Sequence, residues 1–256
     1  MRVFGLIGYP LTHSFSGTYF EKKFRDGGLT DHAYHLYPLP NLNGFTEWVS
    51  SIEGLVGLNV TIPYKKSILP FLEETRLPDG LQACNCIHVE SGKLIGYNTD
   101  VIGFKESIKP LLKSHHNRAL ILGYGGAAEA VRHVLHEWQI PFETVVRERK
   151  ASGQILFEEL TEQIVEQHPL IINTTPLGTY PNVDQYPPIP YEGVGEQHLL
   201  YDLVYNPART AFLKKGEVRG AVICNGLSML ISQAEAAWAI WNGNSIVSGS
   251  LLHQGQ

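Results

Sequence analysis

Ala119-Leu-Ile-Leu-Gly-Tyr-Gly-Gly-Ala-Ala128 decides the fold. The apolar run is too short for a buried helix and stops at a glycine, which reads as a strand. After two more glycines, Val131, Val134, Leu135 and Trp138 recur at helical spacing. The stretch is therefore a strand, a tight turn and a helix. Gly123 permits the turn, Gly125 lets the backbone come close to a pyrophosphate, and Ala128 stands where a small residue lets helix and strand pack. Free N–H groups and the helix dipole favour an anion at such a helix start. An ordinary glycine-rich turn would look the same, so the flanking chain has to decide.

Downstream, Thr144 to Val146 reads as the next strand of the unit, ending in Arg147-Glu-Arg-Lys150. The residue at this strand end selects between cofactors: an acid favours the free ribose of NAD, and arginines favour the 2′-phosphate of NADP. Three cations, Arg147, Arg149 and Lys150, outweigh Glu148, which predicts NADP; the bland alternative is a solvated charged loop. Ile155 to Val165 is expected as a helix, Leu170 to Asn173 as a buried strand, and the proline-rich Asn182 to Gly195 as a surface loop. Leu199 to Val204 and Ala221 to Cys224 are two more strands. Ser228 to Trp241 is strongly periodic helix, and Ile246 to His253 is expected as a last helix.

Upstream, Val3 to Gly8 is a buried-type strand, and Pro10 starts a loop that leads through Ser14 and Ser16 into a helix. Each serine is either an N-cap or, just past a strand end, a ligand contact. Ala33 to Tyr37 reads as strand, Phe45 to Val49 as a short helix, and Leu55 to Val60 as a strand ended by Pro63. Lys65 follows it, either a solvated charge or a functional amine. Ser91-Gly92 sets a hairpin turn before a strand at Leu94 to Tyr97. Asp100 either caps the helix from Val101 to Leu112 or supplies a carboxylate beside Lys65.

The chain has 256 residues, is 43% hydrophobic and 18% charged, and carries a net charge of −5. That is a globular profile with room for two modest cores, and no basic field for nucleic acid or an anionic membrane. Cys84, Cys86 and Cys224 are too few for a disulfide framework and fit a reducing compartment. Cys84 and Cys86 alone do not make a zinc site, no histidine spacing suggests a metal, and no run reaches the length of a membrane span. Met1 to Pro10 reads as a first strand and not as a signal peptide.

Eight blocks in order resemble the shikimate dehydrogenase family. They are Ser14-Phe-Ser16, Asn59-Val-Thr-Ile-Pro-Tyr-Lys65, Asn85 within Ala83-Cys-Asn-Cys, Asn98-Thr-Asp100-Val-Ile-Gly103 and the Gly123-Tyr-Gly-Gly-Ala127 turn. Asn173-Thr-Thr-Pro-Leu-Gly178, Asp202-Leu-Val-Tyr205-Asn-Pro and Asn225-Gly-Leu-Ser-Met-Leu-Ile-Ser-Gln233 complete them. The resemblance implies that Ser14 and Ser16 hold the carboxylate of a cyclohexene acid and that Thr61 and Asn85 bond ring hydroxyls. It implies Lys65 as catalytic lysine with Asp100 as its acidic partner, and Tyr205 and Gln233 as further substrate contacts. Cofactor contacts follow at Gly123, Tyr124, Gly125, Gly126 and Ala127, at Thr174 beneath the nicotinamide, and at Leu203 and Gly226. The sequence departs from the family at Arg147-Glu-Arg, where Asn-Arg-Thr is usual, and at Thr179, where methionine is most common.

The expectation is an α/β chain of two domains with a cleft between them: a substrate-binding domain over 1–101, completed by 228–256, and an NADP-binding Rossmann-like domain over 102–227. The expected reaction is NADP-linked interconversion of 3-dehydroshikimate and shikimate in the cytoplasm. A monomer or homodimer is expected, with a small-molecule substrate and neither nucleic acid nor membrane as partner. The alternatives are a relative accepting quinate with NAD or NADP, and a nucleotide-binding relative without the chemistry.

Overall fold

The computed structural model describes residues 1–11, 14–243, 246–247 and 250–251. The chain divides into two compact units, one of residues 1–99 with 234–256 and the other of residues 100–233.

The first unit is built on β1 (Arg2–Gly8), α1 (Phe15–Asp26), β2 (His32–Pro38), α2 (Phe45–Ser50), β3 (Leu55–Val60), β4 (Glu74–Thr75), β5 (Cys86–Glu90) and β6 (Lys93–Tyr97). Its six-stranded sheet has the order β2-β1-β3-β5-β6-β4. The first three strands run parallel, and β5 joins β3 antiparallel. The β5–β6 hairpin turns at Ser91-Gly92, where both residues have positive φ, 51° and 79°, as its two-residue turn demands. One cluster of buried side chains gathers Phe4, Phe20, Phe24 and Tyr34 with Ala234, Ala237 and Trp241 from the far end of the chain. A second gathers Ile7, Leu58, Val60, Tyr64, Ile68 and Ile87.

The second unit begins with α3 (Asp100–Ile108), shorter than the sequence predicts because Pro110 turns its last residues into a 3₁₀ turn. Asp100 is the first residue of the helix, not its cap. There follow β7 (Ala119–Leu122), α4 (Gly126–Glu137), β8 (Phe142–Val146), β9 (Gln154–Leu156), α5 (Glu162–Glu166), β10 (Leu170–Asn173), β11 (Leu199–Asp202), α6 (Ala211–Val218), β12 (Val222–Cys224) and α7 (Leu227–Trp241), which ends in the first unit. The sheet order is β12-β11-β10-β7-β8-β9, and every pairing is parallel. Two three-strand halves thus spread outward from the β7/β10 junction, the topological switch point of a doubly wound sheet.

Three expectations are corrected here. The helix over 155–165 is instead β9, a 3₁₀ turn at 157–159 and the short α5 capped by Thr161, because pairing with β8 claims Gln154 to Leu156. The loop over 182–195 is not only surface, since Ile189, Tyr191 and Val194 are buried in the unit's core. In the span expected as a last helix, Ile246–Val247 and Ser250–Leu251 pair as short antiparallel strands (β13 and β14), and the rest lies outside the described residues.

Candidate active site

In the first unit the candidate substrate residues lie around the carboxyl ends of β1 and β3. Ser14 caps α1, and its Oγ accepts the Gly17 N–H at 3.4 Å. Ser16 is buried in the first turn and hydrogen-bonds the Tyr34 phenol. α1 has no acidic side chain of its own in that turn to offset its positive dipole end. Burial pushes the Tyr34 phenol well above its ordinary pKa, and the Ser16 bond pulls it back. The phenol donates to Asn59 Oδ1 at 2.8 Å, and Asn59 Nδ2 reaches the Asn85 carbonyl at 3.5 Å.

Asn85 is buried, and its amide grips Thr99 from two sides. Its Oδ1 accepts the Thr99 N–H at 2.6 Å, and its Nδ2 donates to Thr99 Oγ1 at 3.0 Å. One amide N–H of Asn85 is left over from that grip. Ser16, Tyr34, Asn59, Asn85 and Thr99 thus form one polar chain through the unit. The sequence reading misses Tyr34 and Thr99. Thr99 stands inside the Asn98-Thr-Asp100 block and could have been picked out there; Tyr34, in an ordinary strand pattern, gave no signal. Thr61 and Lys65 sit beyond the end of β3, where Tyr64 N–H bonds the Thr61 carbonyl at 2.9 Å and the Lys65 carbonyl accepts Cys84 N–H at 2.7 Å. The lysine's backbone is therefore fixed against the segment just before β5 that carries Asn85.

In the second unit Asp100 opens α3 and is buried, and Gln233 in α7 is buried with its Nε2 donating to the Leu230 carbonyl at 2.9 Å. Tyr205 is half-buried in the turn after β11.

Because the second sheet is all parallel, the candidate cofactor residues share its carboxyl edge: Gly123 after β7, Arg147 after β8, Thr174 after β10, Leu203 after β11 and Gly226 after β12. Gly123 has φ +114°, and a Cβ there would meet Thr174 Oγ1 at 2.6 Å. Thr174 Oγ1 in turn donates to the Leu122 carbonyl at 2.7 Å. A Cβ on Gly125, at the N-terminus of α4, would point into open space with nothing within 4 Å. That gap, the N–H groups of the helix start and the three cations after β8 fit a dinucleotide carrying a 2′-phosphate. Tyr124 lies over the Arg132 guanidinium at 4.4 Å. Gly226 is pressed on the Leu203 carbonyl, with its would-be Cβ at 2.1 Å.

Asp202 is wholly buried at the end of β11 and braces this edge. Its carboxylate accepts Asn173 Nδ2 at 2.9 Å, Val204 N–H at 3.0 Å and Thr210 Oγ1 at 2.6 Å. Burial still dominates and its pKa is pushed up to about 6. No group of histidine, cysteine or acidic residues able to hold a metal occurs among the described residues.

Fold and site together define a two-unit α/β protein with a doubly wound dinucleotide-binding half. The family description "Shikimate dehydrogenase substrate binding domain" matches residues 6–87. The protein of Methanocaldococcus jannaschii named shikimate dehydrogenase (NADP(+)) is 36% identical, over 94% of this chain and 92% of its own length. That of Halothermothrix orenii, with the same name, is 35% identical over 94% and 91%. A shikimate 5-dehydrogenase from Thermus thermophilus, solved with NADP(H) and shikimate, superposes with a TM-score of 0.83 at 28% identity, covering 95% of this chain and 94% of its own. This chain belongs to the shikimate dehydrogenase family.

Proposed function

We propose that this protein catalyses the reversible NADPH-dependent reduction of 3-dehydroshikimate to shikimate, a step of chorismate and aromatic amino-acid biosynthesis. The observation that carries the reading is identity of 36% over 94% of the chain to an enzyme of that name. The bound cofactor would supply the hydride as NADPH for reduction and accept it as NADP+ in the reverse direction. Hydride arrival puts negative charge on the ketone oxygen, and Lys65 meets it with a proton as general acid, acting as base in reverse. Asp100 is the acidic partner that holds the ammonium in position. Ser14 and Ser16, at a helix N-terminus with no acid in its first turn, receive the substrate carboxylate. Thr61, Asn85, Tyr205 and Gln233 bond the hydroxyls and fix which carbon is presented, so that analogues lacking a hydroxyl leave a buried group unpaired.

The cytoplasm and a monomeric or homodimeric state belong to the same proposal. None of the three cysteines is in a disulfide, and no helix of the described residues is long and apolar enough to cross a membrane. Purified protein offered shikimate or quinate, each with NADP or NAD, tests the whole reading through the absorbance of the reduced nicotinamide. Shikimate with NADP is expected to be fastest. A dominant rate with quinate would reassign the substrate, and no signal from any of the four pairs would refute the reaction.

A further inference from the structure

The loop between β8 and β9 carries the three cations, and they are not equivalent. Arg147 and Lys150 are exposed at its start and middle. Arg149 is tied down. Its Nε donates to the Gln154 carbonyl at 3.2 Å, and its Nη2 donates to both oxygens of Glu159 at 2.5 and 2.6 Å. Glu159 is itself anchored, because one of the same oxygens accepts the Leu156 N–H at 2.7 Å. These bonds hold its carboxyl below the usual carboxylate range, so it stays charged and paired. The loop backbone is fixed from the same side: the buried Gln154 amide oxygen accepts the N–H groups of Lys150 at 2.7 Å and Ala151 at 3.1 Å.

An exposed ion pair of this kind adds little to stability, since solvent screens it and two long side chains lose freedom. Its effect lies in geometry. The guanidinium is a rigid fork with five N–H donors. Nε and Nη2 are engaged by Gln154 and Glu159, and the two N–H groups of Nη1 lie outside those bonds. The rotamer freedom that an arginine gives up when it grips a phosphate has here been given up beforehand. Within the loop itself, residues 147–153, one acid, Glu148, stands against three cations.

Resting on the reading of this loop as the cofactor selector, we propose that Glu159 is a positioning residue for NADP: it holds Arg149 ready for the 2′-phosphate and so contributes to discrimination against NAD. Neither the strand pattern nor the charge run reveals this, because Glu159 lies in what the sequence presents as a helix.

The test is equilibrium binding by calorimetry to the purified full-length protein. The ligands are NADP, NAD and 2′,5′-ADP, and the proteins are wild type, Arg149→Ala, Glu159→Ala and the double variant. Arg149→Ala should weaken NADP and 2′,5′-ADP and leave NAD unchanged. Glu159→Ala should weaken the same two ligands by roughly three- to tenfold, the worth of one side chain ordered in advance, with NAD within about twofold. In the Arg149→Ala background the Glu159 change should have no further effect, since a residue acting through another loses its influence with it. A purely structural role would instead weaken NADP and NAD alike and lower the melting temperature. That result, an unchanged NADP-to-NAD ratio, tighter NADP binding, or full additivity in the double variant overturns the proposal. If Arg149→Ala itself leaves the ratio unchanged, the reading of the loop as cofactor selector fails first, and the proposal with it.

Discussion

Lys65 and Asp202 show how different two charged residues at strand ends can be. Lys65 is asked to deliver a proton, so Lys65→Ala should lower kcat by roughly 10²–10⁴-fold with a smaller change in KM. Single-substrate kinetics check it, and near-normal turnover would overturn the assignment. Asp202 works by bracing Asn173, Val204 and Thr210, and its ionisation opposes folding. With its folded pKa pushed up to about 6, the native state binds more protons than the unfolded chain from the ordinary carboxylate range near 4 up to that value. Stability therefore falls as pH rises through this window, by on the order of 3 kcal/mol at most. His116 has the opposite sign. It is buried, its Nδ1 accepts the Lys113 N–H at 3.0 Å, and burial pushes its pKa down to about 4. The unfolded chain then binds more protons between about 4 and the ordinary histidine range, and stability rises with pH there. The two slopes oppose each other. Denaturant unfolding measured across about pH 4.5 to 6.5 should show a steeper rise of stability with pH in Asp202→Asn than in wild type, and a shallower rise or a fall in His116→Gln. Identical slopes in all three proteins would show that neither group is shifted.

The turn between β7 and α4 makes a sharper claim, because two of its glycines do different work. Gly123→Ala meets both a positive φ and Thr174 Oγ1 at 2.6 Å, so it should lower stability by about 1–3 kcal/mol, as a strained backbone does. Gly125 has an extended backbone, φ −89° and ψ −176°, which any residue adopts, and open space where the Cβ would go. Gly125→Ala should leave the melting temperature within a degree or two and yet weaken NADP roughly tenfold or more, by filling the space a pyrophosphate needs. Equal melting losses in the two variants would remove the distinction. This turn was legible in the sequence because glycine spacing reports backbone conformation directly. The strands β1, β3, β7, β8, β10 and β11 were legible for a similar local reason: short apolar runs bounded by Gly, Pro or Asn. β9 was not. Gln154-Ile-Leu becomes a strand only because β8 offers it an open edge, and pairing overrides a pattern that suits a helix. Ile189, Tyr191 and Val194 were hidden by their prolines, which mark irregular backbone and say nothing of burial. At the site, residue types in fixed order were readable. The partners that orient them were not: Tyr34 to Asn59, Asn85 to Thr99 and Glu159 to Arg149 are contacts across 25, 14 and 10 residues.

At the scale of the whole chain, the first unit is not a contiguous segment. Residues 1–99 supply its sheet, but α7 returns from the other unit to close its core. Trp241 is only 2% exposed, packs against Phe4 and Phe20, and donates its indole N–H to the Ile87 carbonyl at 2.9 Å. Trp241→Ala should therefore cost about 3–5 kcal/mol, the range for a large buried aromatic, and should act on the first unit. A stronger consequence concerns fragments. Residues 1–99 alone leave Phe4, Phe20 and Phe24 without Ala234, Ala237, Ile240 and Trp241 opposite them. A unit of that size has little core to spare, so the fragment should lack a cooperative unfolding transition. The missing helix can be returned from the other side. Arg2 donates to the Trp241 carbonyl at 2.9 Å and to Asn242 Oδ1 at 2.8 Å, so the end of α7 lies beside the start of β1. Residues 227–243 joined through a short glycine-serine linker to Met1 of the 1–99 fragment should then restore a single unfolding transition in circular dichroism and denaturant titration. A fragment of 1–99 that already unfolds cooperatively, or a fusion that does not, would show that α7 is a tether and not part of the core.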